Sequence, residues 1–326
     1  MKPSKVKEAL RLYMKADIPA FLSGSPGVGK SAVARQLADE LKLDFIDERM
    51  SQRDAVDVRG LPEIIDGETV WTRPDFMPTK GKGVLFLDEL NSAPSLVQAA
   101  CYQLILERRI GKYKLPKGWY VMAAGNRETD RAVVARMSSA LANRFAHIDF
   151  EHDLNDWVDY ALTHDFSLEL IAFLRFRPQL LFNFDPKTND KAFATPRTWE
   201  MVSDVLKANG SLDVPLDILS GIVGDGPAAE LKGFLDIYAN LQDPDVILMA
   251  PKKADVPDDP ATLYAICGAL ASKSSGSTIK NIVEYANRLP QEFSVLLIQD
   301  CHARDDSIVR TRAFIEWLAA NNDVLI

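Results

Sequence analysis

The chain has 326 residues, 47% of them hydrophobic and 26% charged, with a formal net charge of −8 at pH 7. That is the profile of a soluble globular chain long enough for two domains with buried cores. The acidic balance argues against indiscriminate binding to nucleic acid, while leaving room for a local basic patch. Cys101, Cys267 and Cys301 are too far apart in sequence for a disulfide framework or a metal cluster, and His147, His152, His164 and His302 lack ligand spacing. The N-terminus, "MKPSKVKEALRLYMKAD", has no apolar segment of signal-peptide length, and no run of roughly 18 apolar residues reads as a membrane span. A reducing cytoplasm is the expected setting.

From about residue 18 to 150, short apolar runs alternate with helical patterns. "PAFLS" (19–23), "DFIDE" (44–48), "VLFLD" (84–88), "WYVMAA" (119–124) and "AHIDF" (146–150) read as strands, several apolar on both faces as in a covered parallel sheet. Val33, Leu37 and Leu41 make a helical stripe between the first two. Val97, Cys101, Leu104 and Ile105 make another between the third and fourth, with Pro94 at that helix's start. This βαβ alternation predicts an α/β layered domain. Two stretches interrupt it. "EIIDGETVW", within 58–76, reads as a hairpin turning at Asp66-Gly67, and 107–121 reads as a second hairpin feeding the fourth strand. After residue 150 the patterns are helical and punctuated by Pro, Gly, Asn and Asp, so the second half reads as all-α. The expected division is 1–152 and 153–326.

"GSPGVGKS" (24–31) fits G-x-x-x-x-G-K-[ST] between a strand and a helix. Gly24, Gly27 and Gly29 allow the tight turn, and Ser25, Pro26 and Val28 complete a loop whose N–H groups form an anion nest. The helix that follows adds its positive end. Lys30 is placed to reach the β- and γ-phosphates and Ser31 to ligate Mg²⁺. "VLFLDEL" (84–90) ends its strand in an acidic pair, where open α/β sheets bind ligands. Asp88 is read as a holder of the Mg²⁺ shell, mostly through water, and Glu89 as the group that orients and polarises the attacking water. "WYVMAAGN" ends in Asn126, whose amide can bond that water or a phosphoryl oxygen; a simple turn-forming role is the alternative.

With these strand ends in order, the sequence resembles an AAA+ ATPase: "GSPGVGKS" looks like Walker A, "VLFLDEL" like Walker B and "AAGNR" like sensor 1. "MSSALANRF" (137–145) resembles the segment carrying the arginine finger and points to Arg144, with Arg136 a weaker match. "ATPRTWE" (194–200) resembles sensor 2 and points to Arg197. The two hairpins resemble those of the helix-2-insert clade, and within it the MoxR group. The likeness covers about residues 10–210; beyond that the chain is similar to the C-terminal extension of some MoxR-like proteins. The resemblance implies a P-loop αβα sandwich with a five-stranded parallel sheet in 5-1-4-3-2 order, a helical lid with a helical extension, ATP and Mg²⁺ as cofactors, and a ring, usually a hexamer. It also implies a site completed by a neighbour's Arg144 and reported to the lid by Arg197.

Three functions compete. A protein-remodelling ATPase would work in a ring on a partner protein, often one bearing a von Willebrand factor A domain, with Trp71, Tyr113 and Trp119 as gripping or packing groups. A nucleic-acid motor would use Arg108, Arg109, Lys112, Lys114 and Lys117 around Tyr113. A small-molecule kinase would share the phosphate loop but leave Glu89, Asn126 and Arg144 without obvious use. The acidic balance and the paired Asp88-Glu89 favour the first.

Overall fold

In the computed structural model, which describes residues 1–130, 137–188 and 190–321, the apolar runs of the first half form one five-stranded parallel sheet. Among the described residues nine strands occur in chain order: β1 (Ala20–Ser23), β2 (Asp44–Arg49), β3 (Pro62–Ile65), β4 (Glu68–Trp71), β5 (Lys82–Asp88), β6 (Arg109–Ile110), β7 (Tyr113–Lys114), β8 (Gly118–Gly125) and β9 (Ala146–Asp149). The large sheet runs β2-β5-β8-β1-β9, which, counting its own strands alone, is 5-1-4-3-2 read from the other edge. Its helices are α1 (Pro3–Ala16), α2 (Lys30–Glu40), α3 (Ala55–Arg59), α4 (Ser95–Glu107) and α5 (Ser139–Ala142).

The central strands carry the long apolar runs because both their faces are covered. On one face Leu85, Leu87, Val121 and Ala123 pack in a common core with Val97, Cys101, Leu104 and Ile105 of α4. The alternate residues Val84 and Phe86 are equally buried, on the face where α2 contacts β2 and β5. Edge strand β2 is only half-buried and accordingly mixes charge with apolar residues, "DFIDER". Asp66 and Gly67 both have positive φ and close the β3–β4 hairpin, as a two-residue turn requires. The shorter β6–β7 hairpin turns at Gly111 and leads into β8.

The chain divides into two compact units, Met1–Asp153 with Asp185–Asn189, and Leu154–Phe184 with Asp190–Ile326. Among the described residues the second unit is built of helices without strands: α6 (Leu154–Thr163), α7 (Leu168–Phe176), α8 (Pro196–Asn209), α9 (Leu216–Val223), α10 (Asp225–Ala239), α11 (Pro244–Met249), α12 (Pro260–Ser272), α13 (Ile279–Ala286), α14 (Gln291–Arg304) and α15 (Arg312–Ala320). Helix α12 joins its two cores. Ala261 and Ala265 pack with Phe173, Trp199 and Phe234, whereas Ile266, Cys267 and Leu270 pack with Leu297 and Cys301. The C-terminal helices are therefore continuous with the earlier ones inside this unit. Arg175 of α7 and Asp300 of α14, both largely buried, form an ion pair across it.

The three cysteines are buried core residues, and burial pushes the Cys101 and Cys301 thiols up to about 12. No helix among the described residues is long and apolar enough to cross a membrane.

Removing one member of a buried pair strands the other charge. Arg175→Ala is therefore expected to lower the stability of the helical unit by about 3 kcal/mol in urea unfolding. Arg175→Met combined with Asp300→Leu should recover at least half of that loss.

Candidate active site

Strand β1 ends at Ser23 and α2 begins at Lys30, so the six residues between them must reverse the chain. Gly27 and Gly29 do so with φ of 75° and 102°. Gly24 serves differently: its φ is ordinary, but a Cβ there would come within 2.9 Å of the Phe150 carbonyl oxygen. Val28 is buried and pins the middle of the loop, next to half-buried Pro26. Gly29 is the N-cap of α2 and supplies no side chain to its first turn, which leaves that turn's N–H groups for an anion.

Lys30 opens α2 and is 8% exposed. Its ammonium donates to the carbonyl oxygens of Gly24 at 2.6 Å and Ser25 at 3.0 Å, and to Asn126 Oδ1 at 3.1 Å. Ser31 Oγ donates to Asp88 Oδ2 at 3.0 Å. Asp88 Oδ1 accepts from the Glu89 N–H at 2.9 Å, which orients the carboxylate at the end of β5. The hydroxyl and carboxylate oxygens of Ser31 and Asp88 are the hard donors that Mg²⁺ takes, so the pair fits that ion. Glu89 itself sits in the left-handed region, φ 54° and ψ 31°. A non-glycine residue there is strained, and such strain concentrates at functional sites. Its carboxylate accepts from Ser51 Oγ, just past β2. On the same strand Asp47 is held above the usual carboxylate range, first by burial and then by Asp88, with Arg35 pulling the other way.

The carboxyl ends of β1, β5 and β8 thus bring Lys30, Ser31, Asp88, Glu89 and Asn126 into one region, as parallel strands in register must. Ser25 Oγ donates to Asp130 Oδ1 at 3.3 Å, tying the loop to the turn after β8. Asn91 Nδ2 donates to the Asn126 carbonyl oxygen at 2.7 Å.

Arg144 follows α5. Its guanidinium lies 4.8 Å over the Tyr102 ring and donates to the Ala140 carbonyl oxygen. It bonds neither Lys30, Ser31, Asp88 nor Glu89 of its own chain, and its Nε finds no partner among the described residues. Arg136 lies outside the described residues. Arg197 occupies the first turn of α8 in the second unit, after the Thr195 cap and Pro196. In the hairpins, Trp71 is exposed and its carbonyl oxygen accepts from Tyr113 Oη at 2.9 Å. Trp119 is a core residue instead: it is 4% exposed and donates its indole N–H to the Lys80 carbonyl oxygen.

Ser51, Asn91 and Asp130 escape the sequence reading. All three lie two to five residues beyond strand ends, on the edge where the ligand site forms, and that position was the available signal.

Residues 19–145 match the family model described as the AAA domain of the dynein-related subfamily. This part of the chain is similar to the AAA nucleotide-binding domains of AAA+ ATPases. No curated protein matches the chain. Among solved structures it is similar to NtrX from Brucella abortus in complex with ADP, at 13% identity over 98% of this chain and 67% of that one, with a TM-score of 0.44. It is also similar to a putative ATPase from Cytophaga hutchinsonii, at 14% identity over 90% and 79%, TM-score 0.37. A third is the RuvB Holliday junction branch migration motor of Thermotoga maritima, at 15% identity over 82% and 81%, TM-score 0.37.

Ser51 occupies the Glu89 carboxylate, the group expected from the sequence to polarise water. Ser51→Ala is expected to raise basal ATP turnover about fivefold, the equivalent of one net hydrogen bond of about 1 kcal/mol. Nucleotide affinity should stay unchanged, as read by steady-state kinetics beside a nucleotide titration.

Proposed function

We propose that the chain is a MoxR-like AAA+ ATPase that couples ATP hydrolysis, in a ring of like subunits, to remodelling of a partner protein. The observation that carries the hydrolase reading is the hydrogen-bonded set at the strand ends: Lys30 with Asn126, Ser31 with Asp88, and Glu89 with Ser51.

Each group has a task in that reading. The loop N–H groups and Lys30 bind the phosphates, Lys30 exchanging the Gly24 and Ser25 carbonyl oxygens for phosphate oxygens. Ser31 and Asp88 hold Mg²⁺, which neutralises charge on the phosphate oxygens when bound. Glu89, released by Ser51, accepts a proton from the attacking water. Asn126 bonds that water or the γ-phosphate. Arg144, which among the described residues of its own subunit contacts Tyr102 and Ala140, is the group offered to a neighbour's ATP. Arg197 reports nucleotide state to the helical unit.

The partner is a protein in this reading, and one with a von Willebrand factor A domain fits the MoxR group. The β3–β4 hairpin supports it: Ile64 is 82% exposed, and Leu61, Ile65 and Trp71 are exposed beside it. The basic stretch favours nucleic acid less than its composition implies. Arg108 is paired with Asp17 and Arg109 with Glu107, leaving Lys112, Lys114 and Lys117 exposed. The reading places the protein in the cytoplasm.

Lys30→Ala should abolish tight ATP binding in an equilibrium titration. Glu89→Gln should keep binding and lose about 10²–10⁴ in turnover. Arg144→Ala should bind ATP and lose about 10³–10⁵ in turnover. Mixing it with Lys30→Ala should restore part of the activity, because each variant then supplies what the other lacks. Assembled mixtures that never recover activity would contradict the shared site, and salt-sensitive stimulation by DNA would favour the motor reading.

A further inference from the structure

The amide of Asn91 ties the loop after the catalytic carboxylate to the end of the neighbouring strand, and no function above accounts for it. Asn91 is the middle residue of the short 3-10 turn Leu90–Ser92, which follows Glu89 directly and is fastened to it by the Ser92 N–H on the Glu89 carbonyl oxygen at 2.9 Å. The side chain is 6% exposed. It donates Nδ2 to the Asn126 carbonyl oxygen at 2.7 Å. Asn126 is thereby held at both ends, its carbonyl by Asn91 and its side-chain oxygen by Lys30 at 3.1 Å.

Two further observations show that this amide does more than fill space. First, it closely approaches Gly125, where a Cβ would stand 2.0 Å from Asn91 Oδ1 and 2.5 Å from its Cγ. Only glycine admits the approach. Second, Oδ1 is buried and finds no donor among the described residues. A buried acceptor without a donor is destabilising, and an apolar side chain of the same shape would pack there without that loss. What distinguishes the amide from such a side chain is the single N–H bond to Asn126.

We propose that Asn91 is a positioning residue for hydrolysis: through the Asn126 backbone it keeps the Asn126 side chain aimed at the γ-phosphate and attacking water. The proposal rests on the ATPase reading. Its logic lies in the exchange at Lys30. When phosphate oxygens draw the ammonium away, Asn126 loses its side-chain partner and the Asn91 bond remains to hold it. Nucleotide binding, carried by the loop, does not need that bond; turnover does.

The test uses the full chain with Asn91→Leu, near in shape, and Asn91→Asp, equal in size but presenting an acceptor to the Asn126 carbonyl. ATP turnover, ATP affinity and melting temperature are measured for each. Asn91→Leu should melt no lower than the parent, bind ATP within about twofold, and turn it over about tenfold more slowly or worse. Asn91→Asp should show the same kinetic split, which keeps the test usable if the leucine variant does not fold. In an Asn126→Ala background, Asn91→Leu should cost less than about twofold further, because the two act in series. Parent-like turnover in a folded Asn91 variant would overturn the proposal, as would a full tenfold loss in the Asn126→Ala background. A parent that binds ATP but never hydrolyses it would instead overturn the hydrolase reading, and this role with it.

Discussion

A buried ammonium must be met by oxygen atoms, and around Lys30 that requirement organises the whole nucleotide end of the first unit. At 8% exposure, its charge is made tolerable as Gly24, Ser25 and Asn126 converge on it. The convergence needs the turn made by Gly27 and Gly29, the helix that starts at Lys30, and a β8 long enough to deliver Asn126 beside β1. These oxygen ligands are also replaceable, since phosphate oxygens offer the same acceptors with more charge.

The second element of the site is the strain and sharing around Glu89. Its left-handed backbone turns the carboxylate toward Ser51 while Asp88 stays on Ser31. Backbone geometry thus sends two adjacent carboxylates to different partners. Asn91, two residues on, extends the arrangement to Asn126, so a side-chain hydrogen bond ties the β5 and β8 exits together.

Much of this was legible in the chain. The strands, the β3–β4 turn at Asp66-Gly67 and the phosphate loop carry local signals: apolar runs, an Asp-Gly pair, spaced glycines before Lys-Ser. What escaped depends on partners distant in sequence. Ser51 and Asn91 gain meaning only when β2, β5 and β8 lie side by side. Helix α14 hides its period because its buried face carries Asp300 and Ser294 among apolar residues, and Asp300 is tolerated only through Arg175 on α7. Helices α9 and α11 are short, and α1 carries its burial on Val6 and Leu10 alone. For Trp119, which the sequence leaves open between gripping and packing, strand alternation decides for the core.

The central claim is that Lys30 gives up the loop carbonyls for ATP while a second copy completes the pocket. The most direct measurement is a structure of the Glu89→Gln protein assembled with ATP and Mg²⁺. The account predicts Lys30 on phosphate oxygens, Ser31 and Asp88 at the metal, Asn126 facing the γ-phosphate, and a neighbouring copy's Arg144 closing the site. Lys30 still bonded to Gly24 and Ser25 beside bound nucleotide, or a pocket closed by its own chain alone, would contradict it.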